Sequence, residues 1–338
     1  FMSEQEVPMA GVKQEDGTYQ KGIEDYYSKE LYESDPYQDA VVDDIVENWL
    51  TLSRNNKFHG IFAVSSIPEA VRYYKKFRKK NPKLRVTGLF DPTIDNEGGQ
   101  RSLDKEDGLK EMLEDYNNLY DQQFDIGGYA KFKKDVAARL AHKKPYERLK
   151  PEQQLDLLIV VNQMLTGFDS KWVNTLYMDK ILLNQNLIQA FSRTNRVLND
   201  TKPYGNILDF RSQSDEVDKA IALFSGENNS NRAKEIWLVD PAPKVVEKLD
   251  KAVSELEKFM ESQGLECKPE EVNNLKGDAA RCEFINKFKE VQRLKTQLEQ
   301  YTEIEEKDAE KIEELLPEDT LRAFRGAYID VAQRLKSE

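Results

Sequence analysis

Two arginines and one turn hold the chemistry that the spacing of this chain suggests. Gln189, Arg193 and Arg196 fall within Leu187–Arg196, and residues three and four apart share one side of a helix. An arginine presented this way suits a phosphoryl group in flight: its planar fork makes two hydrogen bonds to phosphate oxygens and stays charged. Upstream, the stretch Asp156–Asp169 reads as a buried strand running into a Thr166-Gly167 turn that ends on Asp169. Glycine lets a backbone approach a ligand closely, and a Thr hydroxyl with a backbone N–H can hold a phosphate oxygen. Asp169 repels phosphate, but it can accept from the arginines or hold a nucleotide hydroxyl. Taken singly, each feature has a plainer alternative: surface ion pairs for the arginines and an ordinary strand-end turn for Thr166-Gly167. Together they favour phosphate handling, because ligands of an open α/β sheet collect at the carboxyl ends of its strands.

Alternating strands and helices are needed to position these groups. Leu155–Asn162 is a continuous apolar run, the pattern of a central parallel strand covered on both faces. His59–Ser65, Arg85–Phe90, Thr175–Asp179 and Tyr204–Phe210 predict further strands; Tyr37–Arg54, Pro68–Lys80 and Asn184–Val197 predict helices. Ser65 and Ser66 end the first of these strands. Their hydroxyls can bond a DNA backbone, which supplies register without sequence reading; a cap for the Pro68 helix is an equal alternative. The order of elements predicts a mostly parallel sheet with helices on both faces.

Between Asp91 and Lys150 two charged helical segments, about Leu103–Gln123 and Tyr129–Lys143, read as an insertion. One reading is a solvated helical pair. The other is a surface for DNA or another lobe, with Lys131, Lys133, Lys134, Arg139, Lys143 and Lys144 as its basic side. After Ser225–Ser230 strand signals stop. Val245–Met260, Ala279–Leu298, Ile304–Leu316 and Leu321–Leu335 predict an all-helical domain, with caps at Asp278 and Thr302.

Composition narrows the partners. The 338 residues suffice for two domains, and with 39% hydrophobic and 33% charged residues the chain is polar. No run of about 18 apolar residues and no leader-like start are present, so neither a membrane partner nor export is expected. Cys267 and Cys282 lack metal-ligand spacing and fit ordinary thiols in a reducing cytoplasm. The net charge is −12, and residues 241–338, with 17 basic against 23 acidic residues, hold half of it. Any DNA contact must therefore be local rather than a global basic surface.

The motifs resemble those of a known family. Leu165–Asp169 and Gln189–Arg196 are similar to motifs V and VI of superfamily 2 helicases and translocases. The pairing of Leu-Thr-Gly-Phe-Asp with Gln-Ala-Phe-Ser-Arg-Thr-Asn-Arg resembles the motor (R) subunit of type I restriction–modification enzymes. Phe58–Ser66 is similar to that family's motif IV strand, and Val86–Asp91 to its next strand. The resemblance covers about residues 30–225, more loosely the tail.

It implies an α/β, RecA-like, mostly parallel sheet (the second helicase lobe) followed by an all-helical domain. The division expected is 1–35 as a lead-in from a first lobe, 36–235 as the lobe with its insertion at about 92–150, and 236–338 as the helical domain. Arg196 is implied as the arginine finger and Arg193 as a second phosphate or inter-lobe contact. Gly167, Asp169 and Gln189 fall on the nucleotide side; Ser65, Ser66 and Thr166 fall on the DNA side.

ATP and Mg²⁺ are implied as held mainly by a first lobe. No Gly-x-x-x-x-Gly-Lys-Ser/Thr and no Asp-Glu-x-His occur in the chain. With its Phe1-Met2 start, this raises the expectation of a piece of a larger cytoplasmic protein, bacterial or archaeal, that has no ATPase activity alone. Implied partners are double-stranded DNA and the methyltransferase and specificity subunits, in a type I site-specific, ATP-hydrolysing deoxyribonuclease. The alternatives are the second lobe of another superfamily 2 translocase, or a non-catalytic scaffold lobe.

Overall fold

The computed structural model of the chain describes residues 12–13, 19–20, 29–90, 100–161, 168, 170–182, 184–194, 202, 204–211, 213–225, 240–301 and 304–337. Two compact units emerge: Phe1–Arg196 with Gly205–Ser230, and Val197–Tyr204 with Asn231–Glu338.

The first unit is built on a five-stranded sheet. A short antiparallel ladder, β1 (Val12–Lys13) with β2 (Tyr19–Gln20), precedes it. The sheet strands are β3 (His59–Val64), β4 (Val86–Leu89), β5 (Leu157–Val160), β6 (Val173–Asp179) and β7 (Asn206–Asp209). Their order is β4-β5-β3-β6-β7, and every pairing is parallel. β3, β5 and β6 are buried along their whole length, which accounts for the unbroken apolar sequence of β5 and the largely apolar one of β3; β6 buries Asn174, Thr175 and Asp179 as well. Gly60 sits mid-sheet, where a Cβ would meet Leu157, Tyr177 and Trp49 at 3.1–3.2 Å; the missing side chain is what lets the Trp49 ring close on β3.

Among the described residues this unit has the helices α1 (Lys29–Tyr32), α2 (Asp35–Leu52), α3 (Ile67–Lys80), α4 (Gln100–Tyr120), α5 (Tyr129–Leu140), α6 (Asn184–Phe191) and α7 (Ser214–Ser225). α3 follows β3 and leads toward the β4 edge of the sheet, whereas α6 follows β6 and leads to β7 at the other edge. Neighbouring strands β3 and β6 thus send their connections in opposite directions. A ligand crevice opens at such a switch point, at the carboxyl ends of the strands.

α4 and α5 are not a solvated pair. Leu109, Met112, Leu113, Tyr116, Phe132, Val136 and Leu140 join the same core as the sheet. The expected basic side loses one member: Arg139 is buried, with Nε donating to Tyr116 Oη at 3.0 Å and Nη1 to the Gln153 carbonyl at 2.8 Å. Its guanidinium lies 3.8 Å from the Tyr120 ring centre and 4.0 Å from that of Tyr146. A charge flanked by aromatic faces and carbonyls is satisfied inside, so a basic residue in a lysine-rich helix need not face solvent. Lys131, Lys134, Lys143 and Lys144 are exposed and Lys133 is half-buried.

The second unit is helical: α8 (Ala242–Ser262), α9 (Asp278–Leu298), α10 (Glu306–Leu315) and α11 (Glu318–Ser337), with a 3₁₀ segment at Pro269–Asn274. Val245, Leu249, Leu256 and Met260 of α8 meet Phe284, Phe288 and Val291 of α9 and Phe324 and Val331 of α11 in a separate core. The cap of α9 is Gly277, at φ 83°, with Asp278 one residue inside, and α10 is capped at Glu305; Thr302 lies outside the described residues. Among the described residues, no helix is long and apolar enough to cross a membrane.

Candidate functional site

The carboxyl edge of the sheet gathers groups from four strands. At the end of β3, Ser66 is the cap of α3: its extended backbone (φ −145°, ψ 161°) points Oγ at the Glu69 N–H, 3.4 Å away. Glu69 turns back and accepts from the Ser65 N–H at 2.9 Å, a variant of the reciprocal Ser-x-x-Glu cap. The carboxyl of Glu69 is buried, and burial raises its pKa. Ser65 is exposed, yet its hydroxyl donates to the Asp179 carbonyl at 3.2 Å. Ser66 only accepts in its cap bond, so its own proton remains free to be given. The cap expected here is therefore real and belongs to Ser66.

At the end of β6 lies a group that sequence reasoning missed. Asp179 is fully buried. Its Oδ2 accepts from Tyr73 Oη at 2.6 Å and its Oδ1 from Arg211 Nε at 2.5 Å. The Tyr37 hydroxyl sits 2.9 Å from Oδ1 and 2.7 Å from the Phe210 carbonyl oxygen. Burial, reinforced by the carboxylate, pushes both tyrosine hydroxyls far above their ordinary range. A buried carboxylate requires such partners. One signal was available in the sequence: an acid directly after the apolar run Leu176–Met178. Next to it, Lys180 donates from Nζ to the Val161 carbonyl at 2.8 Å, and burial lowers its pKa. Because β5 and β6 flank β3, this lysine spans the end of the central strand. Gln213 fastens the loops after β6 and β7: it accepts from the Leu182 N–H at 2.7 Å and donates to the Lys180 carbonyl at 2.9 Å.

α6 ends at Phe191 rather than running on to Val197, and the chain turns through Ser192, Arg193 and Thr194. Arg193 Nε donates to the Gln189 carbonyl at 3.0 Å, and Nη1 donates to the carbonyl of Phe168. Arg193 thus joins the α6 turn to the segment that follows β5. Gln189 is half-buried and contributes its backbone carbonyl. Thr194 is buried against Gly205, where a Cβ would come within 2.5 Å of the Thr194 carbonyl carbon. Thr166, Gly167, Asp169 and Arg196 lie outside the described residues. The structure therefore brings Ser65 and Ser66 to one edge, and Arg193 with Gln189 to the Phe168 segment.

Lys180, Arg193 and the Ser66 hydroxyl carry donors, the kind of group that phosphate oxygens accept, with Lys180 Nζ and the Arg193 Nε and Nη1 already donating to backbone carbonyls. Among the described residues no three His, Cys, Asp or Glu side chains come together as a metal site.

Comparison with known proteins agrees with this architecture. Residues 56–212 match the family model described as type I restriction enzyme subunit R domain 3. Residues 237–338 match the model for the C terminal of subunit R of type I restriction and modification enzymes. Among curated relatives, the SauCOLORF180P endonuclease subunit of Staphylococcus aureus (strain COL) is 30% identical over 276 residues, covering 75% of this chain and 29% of the relative. The SsaAORF53P endonuclease subunit of Staphylococcus saprophyticus is 29% identical over 322 residues, covering 93% of this chain and 32% of the relative. The SauMRSORF196P subunit of S. aureus (strain MRSA252) is 34% identical over 226 residues, 65% of this chain and 23% of the relative. The chain spans a third or less of the length of these relatives. With a parallel α/β lobe, a helical unit and two matching family models, the chain belongs to the type I restriction enzyme R-subunit family.

Proposed function

We propose that this chain is the second lobe and adjoining helical domain of an ATP-driven double-stranded DNA translocase within a type I restriction endonuclease. In this reading, residues 1–35 lead in from a first lobe, 36–235 form the lobe and 236–338 the helical domain. The observation that carries the reading is the bond from Arg193 to the Phe168 carbonyl. It ties the turn that follows α6 to the segment that follows β5, at the edge where ligands of such sheets collect.

Bound ATP with Mg²⁺, held mainly by another lobe, supplies the phosphoryl group to be transferred to water. This chain contributes charge and position. Arg196 stabilises negative charge on the phosphoryl oxygens, an effect of order 10³ to 10⁵ in rate in related chemistry. Arg193 holds the α6 turn against the Phe168 segment, and Gln189, Asp169 and Gly167 are assigned roles toward the nucleotide. Ser66 donates its free proton to a DNA phosphate, Ser65 and Thr166 are assigned to the same DNA side, and none of these contacts reads sequence. The helical domain docks the motor on the methyltransferase and specificity subunits.

Two experiments test the reading. The chain by itself should turn over no ATP with or without DNA; robust turnover would overturn the assignment. Deleting residues 241–338 from the full-length subunit should abolish its capture by the methyltransferase complex while leaving ATPase activity; retained capture removes the docking role.

A further inference from the structure

Ser65 has two donors, and both are committed. Its N–H goes to Glu69 Oε2 at 2.9 Å and its hydroxyl to the Asp179 carbonyl at 3.2 Å. A phosphate oxygen only accepts, so Ser65 can donate to DNA only when its hydroxyl turns away from the Asp179 carbonyl. The position of Asp179 is set by side chains from three other places: Tyr73 on α3, Tyr37 in the first turn of α2, and Arg211 just after β7. Arg211 Nη2 also donates to the same Asp179 carbonyl, at 3.3 Å. Its guanidinium lies 4.2 Å from the ring centre of Tyr32 on α1, and the Tyr32 and Tyr37 rings meet edge to face at 5.1 Å. Ser34 fixes the junction between α1 and α2, its Oγ donating to the Leu31 carbonyl at 2.6 Å and accepting from the Tyr37 N–H at 3.4 Å. The α1–α2 junction therefore holds Asp179 through two routes, the Tyr37 hydroxyl and the Tyr32 ring over Arg211.

We propose that Tyr32, Tyr37 and Arg211 are positioning residues that act through Asp179 on Ser65: a shift of the α1–α2 junction decides whether the Ser65 hydroxyl stays on the Asp179 carbonyl or passes to a DNA phosphate. The inference rests on the translocase reading above and deepens it. It assigns the segment that enters the lobe a direct mechanical line to one DNA contact. Ser66 keeps a permanent grip, and Ser65 alternates.

The test uses the full-length subunit assembled with its partner subunits on linear double-stranded DNA, and reads base pairs moved per ATP hydrolysed. Tyr37→Phe removes one hydroxyl and keeps the ring; Tyr32→Leu removes the ring from Arg211 at a half-buried site, and serves if the first variant folds poorly. Each is made with Ser65 present and with Ser65→Ala. With Ser65 present, each should lower the yield about threefold or more, as residues coupled in one network do. In the Ser65→Ala background the same changes should have little effect. Equal fold-changes in both backgrounds, or none in either, overturn the inference. Lack of DNA-stimulated ATP turnover in the unaltered assembly would instead remove the translocase reading, and this inference with it.

Discussion

Arg193 on the α6 turn donates to the carbonyl of Phe168, a residue from the segment between β5 and β6. Together with its second bond, to the Gln189 carbonyl, this uses two of the five N–H groups a guanidinium offers. A lysine keeps the charge and cannot bridge both carbonyls in that fork. Arg193→Lys should therefore lower the stability of the chain by about 1.5–3 kcal/mol, the range for hydrogen bonds from a charged group. Urea denaturation gives the answer, and unchanged stability would mean that the bridge contributes nothing.

Asp179 and Arg211 form a buried ion pair, with side chains 0% and 8% exposed. Removing one partner strands the other charge. Asp179→Asn should cost about 3–5 kcal/mol, and Asp179→Asn combined with Arg211→Met should cost less than the single change. Chemical denaturation of the two variants side by side decides this; a double variant weaker than the single one contradicts it.

Gly205 lets the start of β7 pass the α6 turn. A methyl group there would meet the Thr194 carbonyl carbon at 2.5 Å and the Thr194 side chain more closely still. Since part of the obstacle is backbone, rotation of a side chain cannot relieve it. Gly205→Ala should cost about 1–3 kcal/mol, read from the shift in urea midpoint. A neutral substitution would show that the turn yields freely.

Much of the fold was legible because strand burial writes itself into sequence. Leu157–Val160 is an unbroken apolar run, His59–Val64 nearly so, and Val173–Asp179 carries the apolar core Leu176–Met178; each formed a strand within two residues of the expected bounds. The end of α6 was not legible. Arg193 and Arg196 continue the helical spacing, yet the turn after Phe191 is set by the buried contact of Thr194 with Gly205, ten residues and more along the chain. The Asp179 network was hidden for the same reason: Tyr37, Tyr73 and Arg211 are 142, 106 and 32 residues from it. Local periodicity carries no trace of such pairings. Arg139 misled because a cation among lysines signals surface, whereas three tyrosine rings around it make an interior site.

His59 and His142 meet Nε2 to Nε2 at 2.7 Å, and His142 stacks on Trp172 at 4.1 Å. One ring must donate and the other accept, so the accepting ring is neutral, and burial disfavours a charge on either. Burial holds His59 at about 3, helped by its neighbour, and His142 at about 4. The unfolded rings take up protons near the ordinary value of about 6.5. Their share of stability is therefore complete above that value and is lost as pH falls from it toward 4 and then 3. His142→Gln should lower stability most at pH 7, and the gap to the unaltered chain should narrow by pH 4. A gap that stays constant across that range would show that neither ring titrates with unfolding.

In the proposed function a guanidinium from this lobe acts on a nucleotide held elsewhere. Its most direct test is Arg196→Ala in the full-length subunit, with DNA-stimulated ATP hydrolysis and DNA binding measured on the same preparation. The account predicts turnover lowered by at least about a hundredfold with DNA affinity retained. Normal turnover in that variant would contradict it.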